Sequence, residues 1–257
     1  MAPKRARSKS SDGSRKGEKA KYSVILPTYN ERDNIALMIW LLMDTLDKAN
    51  ADYEIVVVDD NSPDGTADVF RQLQKAYPKA PLILHQRPGK LGLGTAYIDG
   101  AKVASGNFIF LMDCDMSHNP RDLPKFIQKQ KETKCDIVTG SRYIPGGGVC
   151  GWDLRRVFTS VVANYLAHVM LNPRTSDLTG SFRLFKRQVF DSIIPQVKSR
   201  GYVFQMEIIS RARAGRMSVE EVPIIFVDRI YGQSKLGTGE IVQYLQGLWR
   251  LFWTLSG

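Results

Sequence analysis

Two carboxylates separated by one residue are the clearest chemical signal in the sequence. Asp113 and Asp115 come directly after the apolar run 108–112. At the end of a buried strand, two nearby acids raise each other's pKa unless a cation neutralises them. A divalent ion prefers such oxygen ligands and can also bridge to a diphosphate. The spacing therefore predicts a metal-assisted phosphate site, although an isolated D-x-D triplet more often marks a solvated loop.

A second acidic pair, Asp59 and Asp60, follows the apolar run 55–58. The following residues, 63–66, form a strong turn signal in which Asp64 or Thr66 fits the cap of a helix. The turn does not explain the paired acids, which fit hydrogen bonds to ribose hydroxyls or a base at a sheet-end nucleotide site. We expect this pair at a strand end that neighbours the end of the run 108–112.

Three further local patterns bear on the class of site. Thr28 and Glu31 fit a capping box for the first helix. No G-x-x-x-x-G-K-[ST] segment is present, which disfavours a P-loop NTPase. A G-x-G-x-x-G match at 146–151 follows a proline in a glycine-rich loop, so it does not indicate a dinucleotide site.

Short β-branched runs alternate with segments of helical periodicity, which predicts an α/β fold. The predicted strands are 22–26, 54–58, 82–85, 108–112 and 136–140, and the predicted helices are 31–48, 68–77, 94–104, 120–133 and 157–171. Continuously apolar strands suit a Rossmann-like, mostly parallel sheet with helices on both faces. Ligands bind such sheets at the carboxyl ends of the strands, where the acidic pairs fall.

The positive charge is unevenly distributed along the 257 residues, which contain 36 Lys and Arg against 26 Asp and Glu. Residues 1–21 hold eight basic and two acidic side chains, so the other 236 residues carry only +4 of the total of +10. We interpret 1–21 as a disordered arm, 22–240 as the folded domain and 241–257 as an apolar docking segment. A basic nucleic-acid-binding protein is the alternative from another class, but it would require a clustered basic face.

Segments relevant to membranes are apolar but short. No run approaches the roughly 18 apolar residues of a membrane span, and no apolar segment follows the basic start as in a secretory signal. The segment 241–255 has ten apolar residues in fifteen, including two Trp. We expect it to form a C-terminal amphipathic helix that fits an interface or a groove in a partner. The helix 157–171 fits either an interfacial helix or a buried one. Three cysteines without a C-x-x-C pair indicate a reducing compartment.

Several motifs occur in the order seen in family 2 glycosyltransferases of the GT-A fold, and the chain resembles that family from about Tyr22 to its C-terminus. They lie at residues 27–31, 59–66, 90–96, 113–115, 140–143 and 177–183. Within the family the resemblance is to catalytic subunits that transfer mannose to dolichyl phosphate. It implies GDP-mannose as donor, dolichyl phosphate as acceptor, and Mg²⁺ or Mn²⁺.

The resemblance also implies roles for individual residues. The donor nucleotide would contact Pro27, Tyr29, Glu31, Val58, Asp60, Asp113, Cys114, Asp115, Arg229 and Lys235. Asp115 would be the central metal ligand, with Asp113 and Ser117 as companions, although some relatives have Gln where Ser117 stands. The acceptor phosphate would be held by Arg142, Arg156 and Ser160. Arg156 also fits the polar start of the following helix.

The charges suggest a mechanism without a protein base. A lipid phosphate is already anionic, so it can attack the anomeric carbon directly and invert it to a β-mannosyl phosphate. His85, His118 and His168 show no pairing and fit structural or surface roles. Cationic groups must bring the two phosphorylated substrates together and stabilise the departing diphosphate.

By resemblance, the protein acts peripherally on the cytosolic face of the endoplasmic reticulum membrane with small membrane-embedded partner subunits. Its product would be the mannose donor for protein glycosylation and GPI anchors, and no nucleic acid partner is expected. The basic arm fits either a solubilising tail or a segment that steers the protein to anionic lipid. The nearest enzymatic alternative is a UDP-glucose-dependent transferase that makes dolichyl phosphate glucose.

Overall fold

The computed structural model describes residues 19–152, 154–171, 175–199, 201, 203–228 and 238–256. For residues 155, 238–243, 255 and 256 it describes the backbone alone. The strands are β1 Lys21–Thr28, β2 Asp52–Asp59, β3 Leu82–Gln86, β4 Phe108–Leu111, β5 Ile137–Ser141, β6 Gly148–Cys150, β7 Arg183–Lys186, β8 Val219–Pro223 and β9 Ile225–Val227. The α-helices are α1 Arg32–Lys48, α2 Thr66–Ala76, α3 Leu93–Val103, α4 Leu123–Thr133, α5 Leu154–Leu171, α6 Arg187–Ile193, α7 Val203–Ala214 and α8 Thr238–Ser256.

Seven of the described strands form one sheet in the order β3-β2-β1-β4-β7-β5-β8. All neighbouring pairs in this sheet are parallel except those of β7, which runs antiparallel to both β4 and β5. β6 and β9 form a separate parallel pair. The predicted mostly parallel sheet is confirmed.

Helices cover both faces of the sheet because its central strands are apolar on both sides. In β2, Ile55 and Val57 pack into a cluster with α1, α2 and α4, whereas Val56 and Val58 pack into a second cluster with α3, α6 and α7. Leu248 and Leu251 of α8 join the second cluster. The alternation of side chains along a strand therefore fills two cores from one continuous apolar run.

The five predicted strands and the five predicted helices are present, with local differences. The helix predicted over 120–133 is divided into a short 3₁₀ turn, Pro120–Asp122, and α4, which has a proline in its first turn. The boundaries predicted at residues 21 and 240 fall inside β1 and α8 respectively. Residues 1–18 of the arm lie outside the described residues. The strands β6, β7, β8 and β9 and the helices α6 and α7 were not predicted.

The predicted capping box at Thr28 is wrong. Thr28 is the last residue of β1, and its hydroxyl donates to Asp59 Oδ1 at 3.0 Å instead of capping α1. The cap residue of α1 is Glu31, whose side chain makes no capping bond and whose backbone N–H donates to Thr66 Oγ1 at 3.0 Å. The start of α1 is therefore fixed by the neighbouring helix α2.

The buried carboxylate of Glu54 links neighbouring segments at the amino-terminal ends of the strands. Glu54 accepts hydrogen bonds from Ser23 at 2.7 Å and from Ser105 Oγ at 2.6 Å, and it pairs with Lys21 Nζ at 2.8 Å. Burial alone would raise the pKa of Glu54, but the bonds from Lys21, Ser105 and Ser23 outweigh it and hold the pKa at about 2. Glu54 thus joins β1, β2 and the loop after α3.

Among the described residues, none of the helices has both the length and the apolar character required to cross a membrane.

Candidate active site

Polar side chains gather where β1, β2 and β4 end. β1 lies between the other two strands, with Thr28 opposite Asp59 in the register. The acidic pair that follows β2 and the D-x-D triplet that follows β4 are therefore separated by one strand. The sequence-based expectation that the two acidic motifs stand on neighbouring strand ends is wrong, because β1 lies between β2 and β4.

Asp113 is held by hydroxyl groups from two other elements. Its Oδ1 accepts from Tyr97 Oη at 3.0 Å, and its Oδ2 accepts from Ser181 Oγ at 2.7 Å. Its backbone N–H donates to His118 Nδ1 at 3.2 Å. Burial and the adjacent Asp113 charge raise the pKa of Tyr97, so this phenol remains a hydrogen-bond donor. The carboxylate orientation is therefore fixed before any ligand arrives.

Asp115 is 4% exposed and closes a tight turn with Ser117. Its Oδ1 accepts from the Ser117 backbone N–H at 3.1 Å and from the Ser117 hydroxyl. Met116 between them has φ 64°, a left-handed conformation that is uncommon outside glycine. The turn thus places the two carboxylates of the triplet and the Ser117 hydroxyl within a short stretch of backbone.

The two other side chains of this loop do not act as charged groups. Burial, together with nearby acids, raises the pKa of the Cys114 thiol, so it remains protonated. Burial lowers the pKa of His118 against the opposing influence of Asp113 and Asp115, which favours the neutral ring. His118 packs against Phe182 and Phe226, with ring centroids 5.1 and 5.4 Å away. The sequence predicted a structural or surface role for His118, but not these partners.

On the other side of β1, Asp59 and Asp60 have different roles. Asp59 accepts from Thr28, from the Ser62 hydroxyl at 2.6 Å and from the Ser62 backbone N–H at 3.0 Å, so it closes the turn after β2. Asp60 accepts from Arg87 Nε at 2.6 Å. Burial raises the pKa of Asp60, and the Arg87 hydrogen bond and charge oppose that rise. Arg87 was not predicted as part of the site, because 27 residues separate it from Asp60 in the sequence.

The other predicted nucleotide-binding residues that the structure describes lie at or near the ends of β1 and β2. Pro27 and Tyr29 are partly exposed, and Glu31 is buried and accepts from the Asn34 amide at 2.7 Å. The side chain of Val58 is fully buried in the core, so only its backbone can contact a ligand. Arg229 and Lys235 lie outside the described residues.

The three residues predicted to hold an acceptor phosphate belong to one cluster. The Arg142 guanidinium lies 5.3 Å from the Tyr143 ring centroid, and Tyr143 Oη is 2.7 Å from Ser160 Oγ. Arg142 and Arg156 both lie over the Trp152 indole, at 5.4 and 4.3 Å from its centroid. Two arginines and a serine are therefore connected through Tyr143 and Trp152. These five residues form the predicted acceptor cluster.

Both arginines of this cluster have acidic partners. Arg142 is buried and binds Asp177 through Nε and Nη2, at 2.6 and 2.7 Å, and it also donates to Thr179. Burial would lower the pKa of Arg142 and raise that of Asp177, but their mutual attraction reverses both effects and keeps both groups charged. Arg156 Nη1 lies 2.8 Å from Asp228 Oδ1. The carboxylates of Asp177 and Asp228 thus hold the two arginines in place within the cluster.

The donor set after β4 fits a divalent cation that also binds substrate. The described residues contain no group of three or more His, Cys, Asp and Glu side chains able to hold a metal by themselves. Asp113 and Asp115 supply two carboxylates, which is the number Mg²⁺ commonly takes from a protein when substrate phosphates and water complete its shell. A cation at this site would therefore depend on the diphosphate of a bound nucleotide.

The fold and the carboxylate pair at its strand ends define a glycosyltransferase of the GT-A fold. The chain belongs to the glycosyl transferase family 2, whose model matches residues 23–194. A glucosyl-3-phosphoglycerate synthase from Mycobacterium tuberculosis superposes with a TM-score of 0.67 at 16% identity, covering 92% of this chain and 80% of that one. A mannosyltransferase from Pyrobaculum calidifontis, solved with GDP-Man and Mn²⁺, gives 0.60 at 20% identity, covering 91% and 65%.

Curated relatives are more similar in sequence. A polyprenol monophosphomannose synthase from Mycolicibacterium smegmatis is 37% identical over 222 residues, which are 85% of this chain and 82% of the relative. A dolichol-phosphate mannosyltransferase from Pyrococcus furiosus is 36% identical over 234 residues, which are 90% of this chain. This chain spans 63% of the length of the Pyrococcus protein.

Proposed function

We propose that this protein transfers mannose from GDP-mannose to dolichyl phosphate, giving dolichyl β-mannosyl phosphate. The observation that carries the proposal is the pairing of a two-carboxylate loop with a two-arginine cluster at one edge of the sheet. The Asp113 charge is close enough to Arg142 to contribute to the rise of its pKa. The names of the two curated relatives support a mannosyl donor and a polyprenyl phosphate acceptor.

Each half of the site has a distinct part in this reaction. Asp113 and Asp115 would hold Mg²⁺ or Mn²⁺, which neutralises the diphosphate leaving group when bound. Arg142 and Arg156 would orient the acceptor phosphate, with Ser160 as a hydroxyl donor. The acceptor is anionic at neutral pH, so attack on the anomeric carbon needs no proton transfer to the protein. A direct displacement inverts that carbon.

A lipid acceptor requires contact with a membrane, and two adjoining helices present apolar faces to solvent. On α5, Phe158, Tyr165 and Val169 are 70%, 67% and 67% exposed. On α8, Trp249 and Trp253 are 60% and 63% exposed. Tyr244 Oη donates to the Ala163 carbonyl at 2.9 Å and joins the two helices. Together these side chains form the α5/α8 face.

We infer that the α5/α8 face rests on the bilayer surface. Contiguous exposed apolar side chains mark interaction sites, and Trp and Tyr favour the boundary between lipid tails and water. Arg156 and Ser160, which are predicted to hold the acceptor phosphate, belong to the same helix as Phe158, so α5 contributes to both the face and the phosphate site. A peripheral location on the cytosolic face of the endoplasmic reticulum and an attachment to small membrane-embedded subunits remain parts of this proposal.

A donor-competition assay tests the function directly. The purified protein in detergent receives GDP-mannose or UDP-glucose together with a short polyprenyl phosphate, with Mg²⁺, Mn²⁺ or EDTA. Mannosyl transfer that EDTA stops is the expected result. Preferred glucose transfer would overturn the donor, and full activity in EDTA would overturn the role of the metal.

A further inference from the structure

Arg87 is a buried arginine at the nucleoside side of the site. It directly follows β3, is 3% exposed, and its backbone N–H donates to the Asp59 carbonyl at 2.8 Å. An arginine this deeply buried is stable only when its guanidinium donors have partners. Those partners come from three separate parts of the fold.

The guanidinium joins the end of β2 to the start of α3. Nε binds Asp60 Oδ1 at 2.6 Å, and Nη1 donates to Thr95 Oγ1 at 2.8 Å and to Asp99 Oδ2 at 3.3 Å. Nη2 donates to the Gly92 carbonyl at 3.3 Å. Asp60 also stands directly beside the buried Asp59 carboxylate, whose charge raises the pKa of Asp60. The Arg87 guanidinium therefore compensates the charge of Asp60 in the acidic pair after β2.

The same contacts fix the loop formed by residues 88–92. Arg87 holds one end of this loop through its own backbone and the other through the Gly92 carbonyl. Within the loop, the Leu91 N–H donates to the Asp60 carboxylate. Lys90 Nζ lies 4.9 Å above the Tyr29 ring centroid, a cation–π distance. The loop thus contacts Asp60 through Leu91 and Tyr29 through Lys90.

We propose that Arg87 is the positioning residue of the nucleoside subsite, which it builds by fixing the Asp60 carboxylate and the 88–92 loop. Arg87 binds Asp60 through Oδ1, and the carboxylate has further lone pairs that can accept from N–H or O–H groups of a nucleoside. The proposal rests on the proposed function only in that the ligand is a nucleoside diphosphate sugar. It predicts that Arg87 acts on nucleotide affinity and base choice, and not on the acceptor.

The test compares Arg87→Met and Arg87→Lys with Arg71→Met. Arg71 is a matched control because it also contacts the end of β3, through Gln86 Oε1 at 2.6 Å, but is exposed. GDP and UDP binding are measured by calorimetry, and KM for each substrate and kcat are measured with GDP-mannose and a short polyprenyl phosphate. Thermal melting of each variant is recorded in parallel.

We expect Arg87→Met to weaken GDP binding and raise KM for GDP-mannose at least 10-fold, and to reduce the preference for GDP over UDP. Arg87→Lys should restore part of the affinity, while KM for the acceptor changes less than threefold. Unchanged GDP affinity in Arg87→Met would overturn the inference. The inference would also be overturned if KM rose equally for both substrates and the rise followed the drop in melting temperature. That result would show that Arg87 has a purely structural role.

Two results separate this inference from the proposed function. If the unaltered protein binds no guanine nucleotide, the proposed function fails. If it binds GDP and Arg87→Met binds equally well, the inference alone fails. Should Arg87→Met not fold, Arg87→Lys together with Thr95→Val decides the question, because each removes only some of the guanidinium contacts. GDP binding unchanged in both would overturn the inference.

Discussion

Arg142 and Asp177 form a buried, two-bond ion pair, with Nε–Oδ2 and Nη2–Oδ1 distances of 2.6 and 2.7 Å, beside the acceptor cluster. Asp177 also accepts from the backbone N–H groups of Thr179 and Gly180, so its orientation is fixed by the loop that precedes β7. The position of Arg142 in the cluster therefore depends on a residue that need not touch either substrate.

Asp177→Asn should impair acceptor binding and destabilise the fold. Removing one charge of a buried pair leaves the other uncompensated and costs about 3–5 kcal/mol. We expect a lower midpoint in chemical unfolding and a raised KM for polyprenyl phosphate. The control is Asp191→Asn, which removes the exposed partner of Arg187 and should change stability by less than about 1 kcal/mol. Equal effects of the two substitutions would contradict the role of Asp177.

Asp115→Ala should abolish transfer and leave the protein folded. Asp115 is bonded to Ser117 within its own turn, and the proposed function makes it a cation ligand, so its removal should affect the cation site more than the packing. The transfer rate should fall on the order of 10²-fold or more, with a melting temperature close to that of the unaltered protein. Asp68→Ala, on the exposed side of α2, should keep its rate. A near-normal rate in Asp115→Ala would refute the metal role.

Glu54 should make stability depend on pH in the acidic range. Its pKa is about 2 in the fold against an ordinary value of 4.5, so its contribution is fully present above pH about 4.5 and is lost as the pH falls towards 2. Glu54→Gln should lower the free energy of unfolding at pH 7 by about 2 kcal/mol, and the difference should shrink below pH about 4. The difference in the free energy of unfolding between the two proteins is measured by urea unfolding at several pH values. A difference independent of pH would disprove the linkage.

The α5/α8 face should be required for liposome binding. Tyr165→Ser combined with Trp249→Ser removes apolar surface from both helices and should reduce liposome association at least about 10-fold. The control is Leu37→Ser with Trp40→Ser on α1, because these side chains are also exposed, at 45% and 48%. Co-sedimentation with anionic vesicles is the measurement. Similar losses in both double variants would point to general surface hydrophobicity instead of a specific face.

The parts of this structure that were predictable depend on contacts close together in sequence. β2 and α1 follow from apolar runs and helical spacing, and the position of Asp113 after β4 follows from the strand itself. The local pattern at Thr28 was misleading because its hydroxyl binds Asp59, 31 residues away. Likewise, Arg87 and Asp60 meet only because β3 and β2 pair in parallel.

β7 was not predictable for a related reason. It has four residues, Arg183–Lys186, with charged residues at both ends, so its sequence lacks the apolar run of the other strands. Arg183 is nevertheless fully buried, and its guanidinium donates to the Leu178 and Gln205 carbonyls at 3.0 and 2.6 Å. Burial lowers the pKa of Arg183 to about 10, so it remains charged at neutral pH. Tertiary hydrogen bonds, not local propensity, place this strand.

The reversed direction of β7 has a consequence for how the two substrates influence each other. Because β7 runs against β4 and β5, the residues that enter it lie at the edge where those strands end. One short loop therefore supplies Ser181 to Asp113 and Asp177 to Arg142. If Asp113 and Arg142 hold donor and acceptor as proposed, this shared loop would couple the two affinities, and thermodynamic reciprocity would require each ligand to change the binding of the other by the same factor.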